Sequence, residues 1–584
     1  MKNNLLIRFL KKVSAHISTK RKKQFLFLLL ISVFSGFTEI LSIAAVVPFV
    51  RSVTEINFLK ETFYISKFIS MNSKDEIIIV LGIIFSSLCV LNSLVRCLLI
   101  YVSAQLSNII AAELSVKIYK AKLYDSYDNH ISKSSNIIIA AVTQKVYQIQ
   151  NVLGAIINFI ARSFIFVAII GVLIWINPLV TLMSIIFFAI LYSLLIIFGK
   201  KILVRNSESV NNEQNNIVAS LQDGLGAIRD IILDKTQNFY LSIFQKSSFN
   251  KSRKQAENEF IQQAPRYIFE GVGISMVVIF LIYFGSLETN ANNFSLIFPT
   301  IAALAIGAQR ILPLLNSLYV DFSQVRSNSA SVEAAIEILN ENLVKEKKNS
   351  LVIQRDIYFK NSILFNNVSF SYNKNKKYIL ENVNLEIRKG SRVGIVGKTG
   401  EGKSTLLDLL MGLLEVENGT IQVDGIELSE ATMGSWQSKI SHVPQKIFLS
   451  DDTYLSNIAF GEEVEKIDIE KVELASKQSQ IHKFIMESEK GYYGKVGERG
   501  IKLSGGQMQR IGLARALYKK KAEIIIFDEA TNSLDTHTEK LIMEELSRLD
   551  KNLTVVIVAH RLNTLDNCDT ILEIKNKQIH ILKN

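Results

Sequence analysis

Six stretches of this chain are each apolar for about the 20 residues that a helix needs to cross a hydrocarbon core. They lie at about 25–50, 76–103, 152–176, 179–200, 267–287 and 295–318 of 584 residues. A chain with that pattern must bury those runs in a bilayer, and no all-soluble fold of this length accommodates them. The composition agrees, with 48% hydrophobic and only 21% charged residues, which also excludes disorder over most of the length. Cys89, Cys97 and Cys568 are too few and too scattered for a disulfide framework or a zinc site, and read as small apolar residues.

The net charge of +12 is unevenly placed. Residues 1–23 carry Lys2, Arg8, Lys11, Lys12, Lys20, Arg21, Lys22 and Lys23 and no acid, which fits the cytoplasmic flank of a first span better than a nucleic-acid tail. Leu5, Leu6, Phe9, Leu10 and Val13 share a helical face opposite Arg8, Lys11 and Lys12, the pattern of a helix lying on the inner leaflet. With the N-terminus inside, the loops 51–75 and 288–294 and the turn Trp175–Pro178 fall outside. The long polar connections 104–151 and 201–266 fall inside, as spans continuing into the cytoplasm. The expected organisation is a basic segment 1–23, a six-helix membrane domain 24–325, a polar linker 326–354 and an α/β domain 355–584.

In that last domain short β-branched runs such as Ile421–Val423, Ile440–Val443 and Thr554–Val558 alternate with amphipathic stretches. The strand Val393–Val396 leads into Gly397-Lys398-Thr399-Gly400-Glu401-Gly402-Lys403-Ser404-Thr405 and a Leu-rich helix start. Glycines there let backbone N–H groups curl around phosphate oxygens, Lys403 reaches the terminal phosphates, and Ser404 offers a hydroxyl to Mg²⁺. A second apolar strand, Glu523–Phe527, ends in Asp528 and Glu529, placed to hold Mg²⁺ and to polarise an attacking water. Leu503-Ser504-Gly505-Gly506-Gln507 opens a helix with N–H groups and a hydroxyl facing an anion.

With this third element the chain resembles the ABC ATPases, whose signature sequence it is. The resemblance implies roles for further residues: Tyr372 stacking on adenine, and Gln445 sensing Mg²⁺ and the membrane domain. It also implies that Asp535 forms the D-loop and that His560 is the switch histidine at the γ-phosphate. Glu498, in Val496-Gly497-Glu498-Arg499-Gly500, matches a segment that contacts coupling loops in exporters. Each motif occurs once. Because the signature helix of one subunit completes the ATP site on the phosphate loop of another in this family, the chain is expected to act as a half-transporter. Both halves of each shared site are intact, which favours a homodimer over a heterodimer.

Six spans followed by an ATPase resemble ABC exporters, with residues near 123–130 and 226–236 as candidate coupling helices. Charged residues inside spans are costly and read as functional; here they are Glu39, Arg96, Arg162, Arg266, Glu270 and Arg310. Arg96, Arg266 and Arg310 lie toward the inner side and suit an anionic headgroup such as a diphosphate. Against this, Arg266 and Glu270 stand at i and i+4 and can neutralise each other, and Arg96 can snorkel. Phe37-Thr38-Glu39 with Val47-Pro48-Phe49, Pro265-Arg266-Tyr267-Ile268-Phe269-Glu270-Gly271 and Gln309-Arg310-Ile311-Leu312-Pro313 resemble bacterial flippases of lipid-linked oligosaccharides. That resemblance implies a polyprenyl-diphosphate glycan as cargo, membrane lipids as surroundings and the bacterial inner membrane as location. An exporter of peptides, lipids or drugs and an ATP-gated channel or regulatory subunit stay open beside it, whereas a soluble ABC ATPase is excluded by the spans.

Overall fold

The computed structural model describes residues 13–54, 74–132, 135–176, 178–287, 311–350, 354–372, 377–519, 522–529, 536–547, 552–559 and 565–583. Two compact units result: 1–125 with 130–344, and 126–129 with 345–584.

The first unit is helical throughout. Its long rods are α1 (Thr19–Ala44), α2 (Lys74–Leu123), α3 (Val146–Ile176), α4 (Pro178–Gly226) and α5 (Gln237–Leu287). Residues 311–327 are also helical, and α6 (Ser329–Ser350) follows them. Four helices among the described residues are long and apolar enough to cross a membrane, within Thr19–Val50, Ile78–Leu123, Ile137–Trp175 and Ile185–Gly226. The fifth expected span lies on α5; of the sixth, 295–310 falls outside the described residues. The basic face of residues 1–12 and the loops at 55–73 and 288–294 lie outside them as well.

At about 1.5 Å per residue, α2, with 50 residues, is about 75 Å long, against a hydrocarbon thickness of about 30 Å. The sequence accounts for that length: the apolar run stops near Ser103, but no proline or glycine interrupts the pattern before Leu123. Pro178 begins α4, where its missing N–H costs nothing and its fixed φ suits the first turn. Leu106, Ile110, Leu114 and Ile118 of α2 pack on Ile149, Val152 and Ile156 of α3. Val332, Ala335, Ile336 and Leu339 close the same core, so the first half of the segment expected as a polar linker is a helix packed into this unit. Leu94 and Leu98 remain exposed, on a face that lipid covers.

The second unit holds two sheets. A four-stranded antiparallel sheet runs β2 (Leu380–Arg388), β1 (Ser362–Phe370), β4 (Asn418–Val423), β5 (Ile426–Glu427). A six-stranded sheet runs β10 (Gln578–Lys583), β9 (Thr570–Lys575), β3 (Arg392–Gly397), β8 (Thr554–Val558), β7 (Ile524–Asp528), β6 (Ile440–Val443). From β9 to β6 its pairings are parallel, so the carboxyl ends of β3, β7 and β8 share one edge. Helix α7 (Lys403–Leu410) leaves that edge and buries Leu406, Leu407, Leu409 and Leu410 in the core shared by both sheets. Trp436 is fully buried beneath it and donates its indole N–H to Leu410 O at 2.8 Å. Cys568 is buried in the core on the other face, and all three cysteines are free thiols.

Candidate ATP site and membrane cavity

The phosphate loop is shaped by glycines that nothing else replaces. A Cβ at Gly397 would stand 2.8 Å from Ile574 O, and one at Gly402, whose φ is +99°, 2.9 Å from Ile379 Cγ2. Those contacts fold the loop tightly between β3 and α7 and turn backbone N–H groups to its concave side. Lys403 Nζ donates to Gly397 O at 2.7 Å and Lys398 O at 3.2 Å, which fixes the ammonium across the loop. Tyr372, just past β1, stands half-exposed beside it, with its hydroxyl 3.3 Å from Thr405 Oγ1.

The carboxylates expected at the end of β7 are in place. Burial pushes the Asp528 carboxyl up and the neighbouring Glu529 adds to this, opposed by a hydrogen bond from Ser404 and the charge of Lys403. Two partly buried acids side by side are unfavourable until a cation joins them, and Ser404 already stands against Asp528. The donor set of hydroxyl and carboxylate oxygens is the hard-oxygen set that suits Mg²⁺. Gln445 Nε2 donates to Glu529 Oε2 at 2.6 Å, so the two residues expected to handle the attacking water touch each other. Glu529 adopts φ +50°, a conformation costing a non-glycine residue about 1–3 kcal/mol and found where a site holds a side chain in a fixed direction.

Asp408, one turn along α7 from Ser404, is a member of this site that sequence motifs do not mark. Its carboxyl is pushed up to about 6 by burial and then by Asp528. Tyr127, in the first segment expected to couple, belongs to this unit; burial raises its phenol, with Asp408 and Tyr372 adding to the effect. A single acid on a Leu-rich helix, on the face that Ser404 shares, carries no motif, so only the fold reveals it.

The signature residues begin α8 (Gly505–Tyr518). Ser504 is its N-cap: Gln507 N donates to Ser504 Oγ at 3.3 Å, and Ser504 N donates to Gln507 Oε1 at 2.8 Å, a reciprocal capping box. Gly505 and Gly506 lie in its first turn, leaving N–H groups open. Glu498 opens a short 3₁₀ turn just before this helix. Asp535 and His560 lie outside the described residues, as does Arg310.

In the first unit, a cavity of about 570 Å³ opens between α2, α3 and residues 313–324. Arg96 and Arg162 line it together. Arg96 Nη2 meets Glu39 Oε2 at 2.7 Å, and Glu39, fully buried on α1, also accepts from Asn92 Nδ2 at 2.7 Å. Arg162 Nη1 meets Asp321 Oδ2 at 2.6 Å. Arg266 does not line this cavity: it is exposed on α5, as is Glu270, and no ion pair joins the two among the described residues. The structure therefore brings Arg96 together with Arg162 rather than with Arg266. The acids that hold these arginines come from distant positions, a pairing that no local spacing announces.

Comparison with known proteins gives the same two parts. Residues 25–309 match the family model described as ABC transporter transmembrane region, and residues 380–532 the one described as ABC transporter. Over 379 residues the chain is 31% identical to an ATP-dependent lipid A-core flippase of Idiomarina loihiensis, covering 64% of this chain and 62% of that protein. It is 32% identical over 476 residues to the multidrug resistance-like ATP-binding protein MdlA of Buchnera aphidicola, covering 80% of each. The structure of a bacterial Atm1-family ABC exporter with ATP bound superposes with a TM-score of 0.76 at 20% identity, over 96% of this chain and 95% of that one. A helical membrane region followed by an ATPase domain, with both family models in that order, makes the chain a member of the ABC transporter family, of the exporter-type half-transporter kind.

Proposed function

We propose that this chain works as a homodimer that hydrolyses ATP to move an amphiphile with a large polar headgroup from the inner to the outer leaflet of a bacterial inner membrane. The cargo we favour is a polyprenyl-diphosphate-linked oligosaccharide. The observation that carries the reading is a polar cavity holding Arg96 and Arg162 inside a bundle whose outer face is apolar. A headgroup fits such a cavity while its lipid tail stays outside. Arg266, exposed and without an acid partner among the described residues, keeps its charge for the diphosphate.

In this reading Tyr372 stacks on adenine, and Lys403 with the N–H groups around Gly397, Gly400 and Gly402 grips the phosphates. Ser404, Gln445 and Asp528 would hold Mg²⁺, which when bound would neutralise charge on the phosphoryl oxygens, and Thr405 lies on the nucleotide side of the same loop. Glu529 Oε2, held by Gln445, orients the attacking water and takes its proton. Ser504, Gly505, Gly506 and Gln507 of one copy cover the nucleotide on the loop of the other, with Asp535 and His560 at that junction. Sharing is required because a chain with one loop and one signature completes no site alone.

The test is reconstitution in liposomes with a fluorescent lipid-linked oligosaccharide. Wild-type protein should show ATP-dependent movement to the outer leaflet and cargo-stimulated hydrolysis, both absent in Glu529→Gln. ATPase stimulated by apolar drugs and unaffected by the lipid-linked glycan would favour the multidrug reading that the MdlA relative's name raises.

A further inference from the structure

Among the described residues, the charges that line the membrane cavity are paired. Its two arginines each meet one acid, Arg96 with Glu39 at 2.7 Å and Arg162 with Asp321 at 2.6 Å, and the acids' side chains are 0% and 5% exposed. The remaining polar wall is neutral. Among the described residues it carries the carboxamides of Asn108, Gln150, Asn151, Asn158 and Gln324, together with three serines, and no aromatic ring. Asn158 Oδ1 accepts from Ser103 Oγ at 3.0 Å, and Asn108 Nδ2 donates to Ala104 O at 2.8 Å. The side chains of Gln150, Asn151 and Gln324 have no hydrogen-bond partner among the described residues, although each is partly buried. Their polar groups open onto the cavity, and these three offer donors and acceptors to whatever enters.

The position of the cavity narrows the choice. Ser103, Asn158 and Ser317 lie near the inner ends expected for the second, third and sixth spans, which is the depth of the inner-leaflet headgroups. A diphosphate entering here would meet cations that buried carboxylates already neutralise, and those carboxylates would repel it. A sugar faces no such conflict. Each hydroxyl both donates and accepts, as a carboxamide does, and a guanidinium bound to a carboxylate on one nitrogen still has N–H groups for a neutral oxygen. The volume falls within the range of small-molecule sites.

We propose that this cavity is a carbohydrate subsite, taking the neutral, hydroxyl-rich part of the headgroup through Gln150, Asn151 and Gln324 while Glu39 and Asp321 hold the two arginines against anions. The proposal rests on the flippase reading above and adds which part of the cargo sits where.

The experiment compares binding to the full-length protein in nanodiscs of three probes: a polyprenyl diphosphate carrying an oligosaccharide, the same lipid diphosphate without it, and the free neutral oligosaccharide. Replacing Gln150→Leu together with Asn151→Leu should reduce the advantage of the glycosylated over the bare lipid by about tenfold, the loss expected for two modest hydrogen bonds. Affinity for the bare lipid should stay unchanged. Gln324→Met, which keeps side-chain length, should act in the same direction and serves if the double variant fails to fold. Asp321→Asn should raise affinity for the bare diphosphate, since it leaves Arg162 without its counter-charge. Equal weakening of both lipids by the carboxamide variants would overturn the proposal, because the cavity would then hold phosphate. An unchanged ratio would also overturn it, because the cargo would then bypass the cavity. If the unmodified protein bound neither lipid, the flippase reading would fail. The free oligosaccharide would then judge the cavity by itself, and no binding of it would overturn the subsite too.

Discussion

The two polar sites treat charge in opposite ways. At the end of β7, Asp528 and Glu529 stand together as like charges, and Lys403 is held by loop carbonyls. In the membrane cavity both described arginines, Arg96 and Arg162, are matched to a buried acid. A site for a polyanion with its cation must keep charges uncompensated and carry the cost. A cavity whose charges cancel internally loses little when empty and has little to offer a strong anion. The difference teaches that counting arginines in membrane helices is a poor guide to cargo charge until their partners are known.

The sharpest way to break the comparison is at the phosphate loop. Lys403→Ala removes the lysine fixed across the loop, and Glu529→Gln removes the proposed base while keeping its shape. Each should lower ATP turnover by about 10²–10³-fold, the scale of losing one aligned electrostatic contact. Lys403→Ala should also weaken nucleotide binding, whereas Glu529→Gln should trap nucleotide. Turnover and binding measured on purified protein decide it, and near-normal turnover in Glu529→Gln would remove that residue from the mechanism.

Sharing between copies gives the next effect. Mixing Ser504→Arg with Lys403→Ala chains should rebuild one complete site per mixed dimer and restore part of the hydrolysis lost in either. Mixed dimers, isolated by two affinity tags, that stay inactive would show that the sites are not shared in this way or must both fire.

On the membrane side, Glu39→Gln should lower thermal stability by about 1–3 kcal/mol, the cost of leaving hydrogen-bonded groups with poorer partners. Basal ATPase in the surviving folded protein should persist. The half-exposed Arg96 can turn toward water and so limits the loss. An unchanged melting temperature would mean that the pair contributes nothing.

The smallest effect concerns Asp408. Its carboxyl sits at about 6 against an ordinary 3.8, raised by burial and by Asp528. A raised value means that the protonated form stabilises the fold. That contribution is full below 3.8 and is lost as pH rises through about 6. Asp408→Asn should therefore melt slightly higher than wild type at pH 7.5, by at most about 1–2 kcal/mol because solvent screens a partly exposed group. The two should converge as pH falls toward 4. Parallel profiles across that range would show a fully solvated carboxyl.

The ATP site is largely legible in the amino-acid sequence because its chemistry is local. A strand, a glycine-rich turn, Lys403 and Ser404 are consecutive, and β3 and α7 form where their pattern places them. The same holds for Ser504 through Gln507 at the start of α8. The cavity is legible only in part. Arg96 and Arg162 are visible as charges in spans, but their partners lie 57 and 159 residues away in sequence, on helices whose facing is set by packing. The local rule that pairs Arg266 with Glu270 at i and i+4 does not operate, since both side chains point outward without meeting. Asp321 and Asp408 carry no sequence signal for a related reason: a single acid in a helix reads as solvated until the neighbours that bury it are known.

The length of α2, α4 and α5 has a mechanical consequence. Each has about 50 residues and extends about 75 Å, of which the hydrocarbon holds about 30 Å. A rod of that kind pivoting at mid-membrane is a lever: with an arm of about 60 Å, a tilt of about 5° displaces its far tip by about 5 Å. Shifts too small to break any packing contact at the fulcrum become strokes the size of a side chain at the end. The stiffness of the rod, set by its unbroken backbone hydrogen bonds, then governs how much of a stroke is transmitted. Pro265, within α5, removes one such bond and makes that lever the most compliant of the three.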